Sequence, residues 1–352
     1  MNNEESMIPV YNAKTIAPST NKGGVLKTTI AVNAAGYLAK QNNKIQPWRK
    51  NKVLLIDIDS QGNVSLSFGL NPDRYENSIY DVLVNNLSPE KAIVSVHENI
   101  DILPANDDMA FFELDVLTST TPPEVVKNNE KTIEIIRKTI ASLKELKKRS
   151  KKENLDQFTD LVAQIEKDIQ QQLTELTNML SQDNKRVGDF YTLLRTAIEP
   201  LKQKYDFIII DTPPQLGVTA ANVFTAVDDV LIPFHPEKYS FRSMIKTIRA
   251  IDNWKESNPA LTIKAIIPVK VKEKTITHSV FLENSEQIIT SSDPIEITKT
   301  YIPESIKPAE AIAKYNLPFE LIDEKDLKTK KDKEQVLPIQ NIFDKLFEEL
   351  GY

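Results

Sequence analysis

The turn Asn21-Lys22-Gly23-Gly24-Val25-Leu26-Lys27-Thr28-Thr29 brings two glycines, two lysines and two hydroxyls into nine residues. Glycines let backbone N–H groups approach an anion closely, and a helix opening behind them adds the positive end of its dipole. The run from Thr29 through Ala39 reads as that helix. Lys27 then lies along the β- and γ-phosphates of a nucleotide, and Thr28 offers its hydroxyl to Mg²⁺. The candidate nucleotide-binding set is Lys22, Gly23, Gly24, Val25, Leu26, Lys27, Thr28 and Thr29. The strict G-x-x-x-x-G-K-[ST] pattern is broken at Asn21 and at Leu26.

Two apolar runs supply carboxylates to such a site. Lys52-Val-Leu-Leu-Ile-Asp57-Ile-Asp59 and Lys204-Tyr-Asp-Phe-Ile-Ile-Ile-Asp211-Thr-Pro213-Pro214 each read as a strand buried on both faces that ends in an acid. An acid at the carboxyl end of a buried parallel strand is where a Mg²⁺ shell is held, so Asp211 joins Thr28 and Asp59 as the candidate metal residues.

Such residues meet only if a parallel sheet places its strand ends on one edge. Strand-like runs occur at Lys14–Pro18, Val53–Asp57, Ile100–Leu103, Phe207–Asp211, Val230–Phe234, Ile263–Val269 and Ile297–Ile302, with helical patterns between most of them. That alternation predicts an α/β fold with a doubly wound, mostly parallel sheet of the P-loop NTPase kind. From about Thr118 to Val187 the composition turns to Lys, Glu, Gln, Leu and Ile with no strand candidate. Ile133, Ile136, Ile140, Leu143 and Leu146, then Leu155, Phe158, Val162, Ile165, Ile169, Leu173, Leu176 and Leu180, recur at helical spacing. The expectation is an inserted, coiled-coil-like helical arm. It would divide the ATPase core into residues 1–117 and 188–352, with the arm at 118–187.

With these residues in view, the sequence resembles the ParA-type partition ATPases of the deviant Walker A group that also contains MinD. Lys22-Gly-Gly-Val-Leu-Lys27-Thr28 is similar to the family's K-G-G-x-G-K-[ST] turn except at Leu26. Asp57-Ile-Asp59-Ser-Gln-Gly-Asn63 resembles its D-x-D-P-Q-G-N segment, with Ser60 for proline. Asp211–Gly217, Asp229–Glu237 and Tyr301-Ile-Pro303-Glu-Ser-Ile-Lys307-Pro-Ala-Glu310 are further matches. The resemblance implies that Lys22 reaches across a dimer to the partner's nucleotide and that Asp59 positions the attacking water. These two are the candidate catalytic residues, and Pro303 is a further nucleotide contact. It implies ATP and Mg²⁺ as cofactors, an ATP-dependent homodimer, non-specific DNA and a ParB-like centromere-binding partner. Lys272, Lys274 and Lys307 are the candidate DNA contacts, with Lys307 near a position where the family often has arginine. At Leu26 a Cβ resists backbone geometry that glycine permits, so slow hydrolysis is one expected consequence.

Composition bounds these readings. The chain has 352 residues and a net charge of −6, so no global basic field advertises nucleic-acid binding. The absence of cysteine excludes disulfides, Cys-ligated zinc and the cluster-binding relatives of this nucleotide fold. His97, His235 and His278 lack ligand spacing. The acidic N-terminus has no apolar signal-like region, and no run approaches the roughly 20 apolar residues of a membrane span. Only a short segment precedes the first strand, so the N-terminal helix-turn-helix domain of the larger family members is not expected. Near the C-terminus, Ile339, Ile342, Phe343, Leu346, Phe347 and Leu350 form a stripe flanked mostly by acids, which predicts a core-packed helix rather than a membrane anchor.

The expected function is that of a cytoplasmic, nucleoid-associated ATPase segregating plasmid or chromosomal DNA. The alternative is an ATP-switched scaffold or positioning protein with little turnover, acting through its arm in conjugation, replication or surface positioning.

Overall fold

The computed structural model describes residues 11–121, 123–153, 159–181, 189–272 and 295–352. Its strands are β1 (Lys14–Pro18), β2 (Val53–Asp57), β3 (Val94–His97), β4 (Ile100–Leu103), β5 (Phe207–Asp211), β6 (Asp229–Phe234), β7 (Thr262–Val271) and β8 (Ile302–Pro303). They form one eight-stranded sheet in the order β3-β4-β2-β5-β1-β6-β7-β8. Every neighbouring pair is parallel except the β3–β4 hairpin at one edge. The continuous apolar runs are explained by burial on both faces: Leu54 and Ile56 enter one core, and Val53 and Leu55 enter the other.

Twelve described helices cover the sheet: α1 (Lys27–Lys40), α2 (Asn63–Ser67), α3 (Ile79–Val84), α4 (Phe112–Thr120), α5 (Pro123–Asn128), α6 (Glu130–Glu153), α7 (Thr159–Ser181), α8 (Leu193–Ile198), α9 (Val218–Ala226), α10 (Lys238–Asp252), α11 (Pro308–Tyr315) and α12 (Lys330–Glu349). Helices α1, α11 and α12 pack on one face, where the Tyr37 and Phe347 rings lie 5.3 Å apart. Phe343, Leu346 and Phe347 are fully buried, so the C-terminal helix belongs to the core as its stripe predicts. Among the described residues, no helix is long and apolar enough to cross a membrane.

Helices α6 and α7 lie against each other, with α6 also against the Asp107–Phe111 turn and α7 against α4. Ile133, Ile136, Ile140 and Leu143 of α6 and Ile169, Leu173 and Leu176 of α7 share one apolar cluster with β2 and β5. Arg137 pairs with Asp115 at 2.6 Å, and Lys144 with Asp108 at 3.1 Å, tying α6 to the core. The predicted arm positions Leu155 and Phe158 lie outside the described residues, and the expected boundary at residue 118 falls within α4.

Two strand expectations differ from the structure. The edge strand β3 is an addition, its exposure alternating along a segment too short and polar to stand out. The run Ile297–Ile302 is not one strand. Ile297 makes an isolated bridge to Ile266, and only Ile302–Pro303 pairs with β7. Between them, the Lys299 and Thr300 N–H groups donate to the Glu349 carboxylate at 2.5 and 2.9 Å, which withdraws them from any ladder.

Candidate nucleotide-binding site

β1 ends at Pro18, and the following turn delivers Lys27 to the first position of α1 at the carboxyl edge of the sheet. Parallel strand order puts the ends of β2, β5 and β7 around this turn. Together they line a cleft of about 660 Å³ containing Gly23 to Thr29, Asp59, Thr212, Pro214 and Lys270, closed on another side by Pro308, Ala311 and Ile312 of α11. All eight candidate residues except Lys22 line this cleft.

The turn needs two left-handed residues. Gly24 has φ +69°, which costs glycine nothing, but Leu26 takes φ +63° with its Cβ in place. Leu26 caps α1, its carbonyl accepting from Ile30 N at 2.9 Å. A left-handed non-glycine residue costs about 1–2 kcal/mol, held here by the surrounding fold. Asn21, which replaces the first glycine of the strict pattern, is tied to α10. Its N–H donates to Thr247 Oγ1 at 3.3 Å, and its side-chain oxygen accepts from the Ser243 hydroxyl.

The two lysines of the turn have different surroundings. Lys27 is buried, and its ammonium donates to the Lys22 carbonyl at 3.2 Å. Burial lowers its pKa, while the Asp211 and Asp59 carboxylates pull it back up. Lys22 points to the start of α10, where it donates to Ser240 Oγ at 2.6 Å and to Glu237 Oε2 at 3.3 Å.

Three acids converge beneath the turn. Asp57 and Asp211 are register partners on β2 and β5. Thr28 Oγ1 donates to Asp211 Oδ2 at 2.6 Å, whereas the buried Asp211 Oδ1 has no hydrogen-bond partner among the described residues. Burial raises the Asp211 pKa to about 7, against the Thr28 hydrogen bond that lowers it. Asp57 is pushed well above the ordinary carboxylate range by burial and then by Asp211 and Asp59. It accepts from Asp59 N at 2.9 Å and Val64 N at 3.0 Å, so it shapes the loop between β2 and α2. Asp59 accepts from Gln61 N at 3.0 Å, and burial raises its pKa against the opposing effects of Gln61, Lys27 and Lys147.

This donor set fits Mg²⁺. An orphaned buried carboxylate oxygen beside a threonine hydroxyl suits a hard cation that takes only one or two protein oxygens and fills its shell with water and phosphate. Thr28 and Asp211 would hold it, with Asp59 nearby on the cleft wall. Among the described residues there is no cluster of three or more His, Asp or Glu that could cage a metal without help from a ligand.

Asp59 also lines a second cavity of about 410 Å³, bounded by Ser60, Gln61, Pro213 and Pro214 on the core and by Leu143, Lys147, Glu166 and Leu173 on the helical pair. Lys147 and Glu166 pair across α6 and α7 at 2.5 Å. Glu113 of α4, accepting from Thr219 N at 3.0 Å and bonded to Gln170, links the same helical pair to α9.

Other candidates fall elsewhere. Pro303 lines a separate cleft with Lys307, Tyr315 and Val336, because α11 stands between it and the turn. Lys272 pairs with Glu304 at 3.2 Å and Lys307 with Glu310 at 2.7 Å, while Lys274 lies outside the described residues. Sequence reasoning counted Asp57 among the strand-end acids of the site, took Lys270 for a DNA candidate rather than a cleft residue, and did not foresee the α11 wall.

Comparison with known proteins agrees with this geometry. Residues 13–138 and 119–263 match the family described as AAA domain. A ParA family protein of Mycoplasma genitalium is 26% identical over 311 residues, covering 86% of this chain and 87% of that one. The sporulation initiation inhibitor protein Soj of Bacillus subtilis is 26% identical over 302 residues, covering 85% and 87%. The ATP complex of a substituted McdA from Cyanothece superposes with a TM-score of 0.61 at 16% identity, covering 97% of both chains. Cobyrinic acid a,c-diamide synthase of Mycobacterium smegmatis, solved with an ATP analog and magnesium, superposes with a TM-score of 0.57 at 22% identity, covering 87% and 98%. The fold and site define a P-loop nucleotide-binding protein. The chain belongs to the AAA domain family and, within it, to the ParA-type partition ATPases.

Proposed function

We propose that this protein is a Mg²⁺-dependent ATPase that dimerises around ATP, binds DNA without sequence preference and moves it together with a centromere-binding partner. The observation that carries the reading is the Thr28–Asp211 hydrogen bond beneath the lysine turn, with Asp211 Oδ1 left over for a cation. In this reading Lys27 neutralises phosphate charge, the turn's N–H groups cradle the phosphates, and Asp59 orients the water that attacks the γ-phosphate. Such a reaction is mostly positioning and charge neutralisation. Mg²⁺, when bound, neutralises charge on the phosphate oxygens. Lys22 serves the partner protomer once it leaves Glu237 and Ser240.

A second reading, an ATP-switched scaffold with little turnover, is supported by Leu26 at φ +63° and by α6 and α7 facing the Asp59 loop across the second cavity. Phosphate release measured with and without Mg²⁺ and DNA separates the two. The ATPase reading requires turnover that needs Mg²⁺ and disappears in Lys27→Ala. Retention of the ATP-bound protein on unrelated DNA sequences, falling steeply with salt, tests the DNA arm. No retention at low salt favours the scaffold. Retention that survives Lys272→Ala with Lys307→Ala places the basic surface elsewhere.

A further inference from the structure

We infer that Lys270 is a third cation of the nucleotide site, one that binds a phosphate oxygen of the bound nucleotide from above the Gly24 turn. The inference rests on the nucleotide-binding reading above.

Lys270 sits in β7 where the pairing with β8 slips between Val269 and Val271. Its backbone takes φ +55°, a conformation that a strand residue with a side chain normally avoids. The slip re-aims the side chain. Its ammonium comes to 4.0 Å from the position that a Cβ on Gly24 would occupy, directly over the phosphate-binding turn. Lys270 lines the same cleft as Gly23 to Thr29 and is partly buried there. Lys272, two residues on, pairs with Glu304; among the described residues no carboxylate pairs with Lys270.

The placement is electrostatically unfavourable by itself. The ammonium is held beside the N-terminus of α1, the positive end of a helix dipole, in a cleft that already contains Lys27. A lysine that merely solvates a surface turns away from such a place, at no backbone strain. A cation kept there in a strained backbone makes sense where an anion lies between it and the turn. The cleft's chemistry selects phosphate, since the turn presents backbone N–H groups to the same space.

The test uses the full chain and ATP with Mg²⁺ at low salt. Lys270→Gly removes the charge and leaves a residue at ease with positive φ, and Lys270→Asn, also tolerant of that region, repeats the charge removal. Both should weaken ATP roughly tenfold and flatten the salt dependence of binding, while Lys270→Arg stays within about threefold of the parent. The melting midpoint of Lys270→Gly should not fall below the parent's. ATP affinity within about twofold of the parent in both charge-removing variants overturns the inference. So does equal weakening by Lys270→Arg and Lys270→Gly together with lower melting points, which assigns the residue to the architecture of the bulge. Loss of DNA retention at saturating ATP with unchanged ATP affinity overturns it too, in favour of a DNA contact. A parent chain that binds no ATP defeats the underlying function instead, so the two failures are distinguishable.

Discussion

Asp57 and Asp211 stand opposite each other at the ends of adjacent parallel strands, and Asp211 alone of the pair receives the Thr28 hydroxyl. Asp57 is spent on the backbone N–H groups of Asp59 and Val64. Burial is the main reason both pKa values rise; the neighbouring Asp211 and Asp59 carboxylates raise Asp57 further, and Asp59 raises Asp211. Asp211→Asn should therefore stabilise the nucleotide-free protein by about 1–2 kcal/mol while lowering Mg²⁺-dependent turnover at least about a hundredfold. Chemical denaturation and steady-state phosphate release check both halves. A variant that loses stability and keeps turnover contradicts the assignment.

Leu26→Gly relieves a left-handed backbone at the cap of α1. It should add about 1 kcal/mol of stability, less the extra flexibility glycine gives the unfolded chain. Turnover should rise if the leucine restrains the phosphate loop. A melting curve and an ATPase assay on the same preparation separate strain relief from an effect on catalysis.

Glu237 and Ser240 hold the Lys22 ammonium within one protomer. Glu237→Gln weakens that hold and should increase ATP-dependent dimerisation several-fold, as seen by light scattering. Lys22→Ala should abolish dimerisation while sparing most ATP binding, whereas Lys27→Ala should abolish ATP binding itself. Equal loss of ATP affinity in the two lysine variants would refute this division of roles.

The α6–α7 pair is part of the core. Ile136 and Leu176 are completely buried in it, so Ile136→Ala or Leu176→Ala should each cost about 2–5 kcal/mol of stability. Urea unfolding of each variant gives the value. A cost below about 1 kcal/mol would mean that the helical pair is dispensable for folding.

Glu320 provides a pH test away from the cleft. Burial lifts its pKa to about 7 despite the Lys40 ion pair, while the unfolded chain holds it near 4.5. The folded state then binds the extra proton between these values. This group's contribution to stability is greatest below pH 4.5 and declines as pH rises to about 7. Glu320→Gln should flatten that decline and raise the melting midpoint at pH 8 relative to the parent. An unchanged pH profile would show that other buried acids set the slope.

The sheet and the gathering of acids at its edge were legible in the residues alone. A strand buried on both faces must be continuously apolar, so β2 and β5 announce themselves, and the acids ending them point to one edge. The glycine-lysine turn is local in the chain, with its candidate phosphate ligands in adjacent residues. The C-terminal stripe and the helical pair were legible for the same reason, a single helical period. Long-range pairing was not. Lys22 meets Ser240 and Thr28 meets Asp211 across 218 and 183 residues, and no local pattern encodes such pairs. Ile297–Ile302 has strand-like residues, yet Glu349 takes its N–H groups from 49 and 50 residues away. Pro303 lines a different cleft from the turn, and Lys270 was one lysine among several until a slip between β7 and β8 turned it over Gly24. A side chain's partner depends on which strands become neighbours and in what register, and that is fixed by packing of the whole chain.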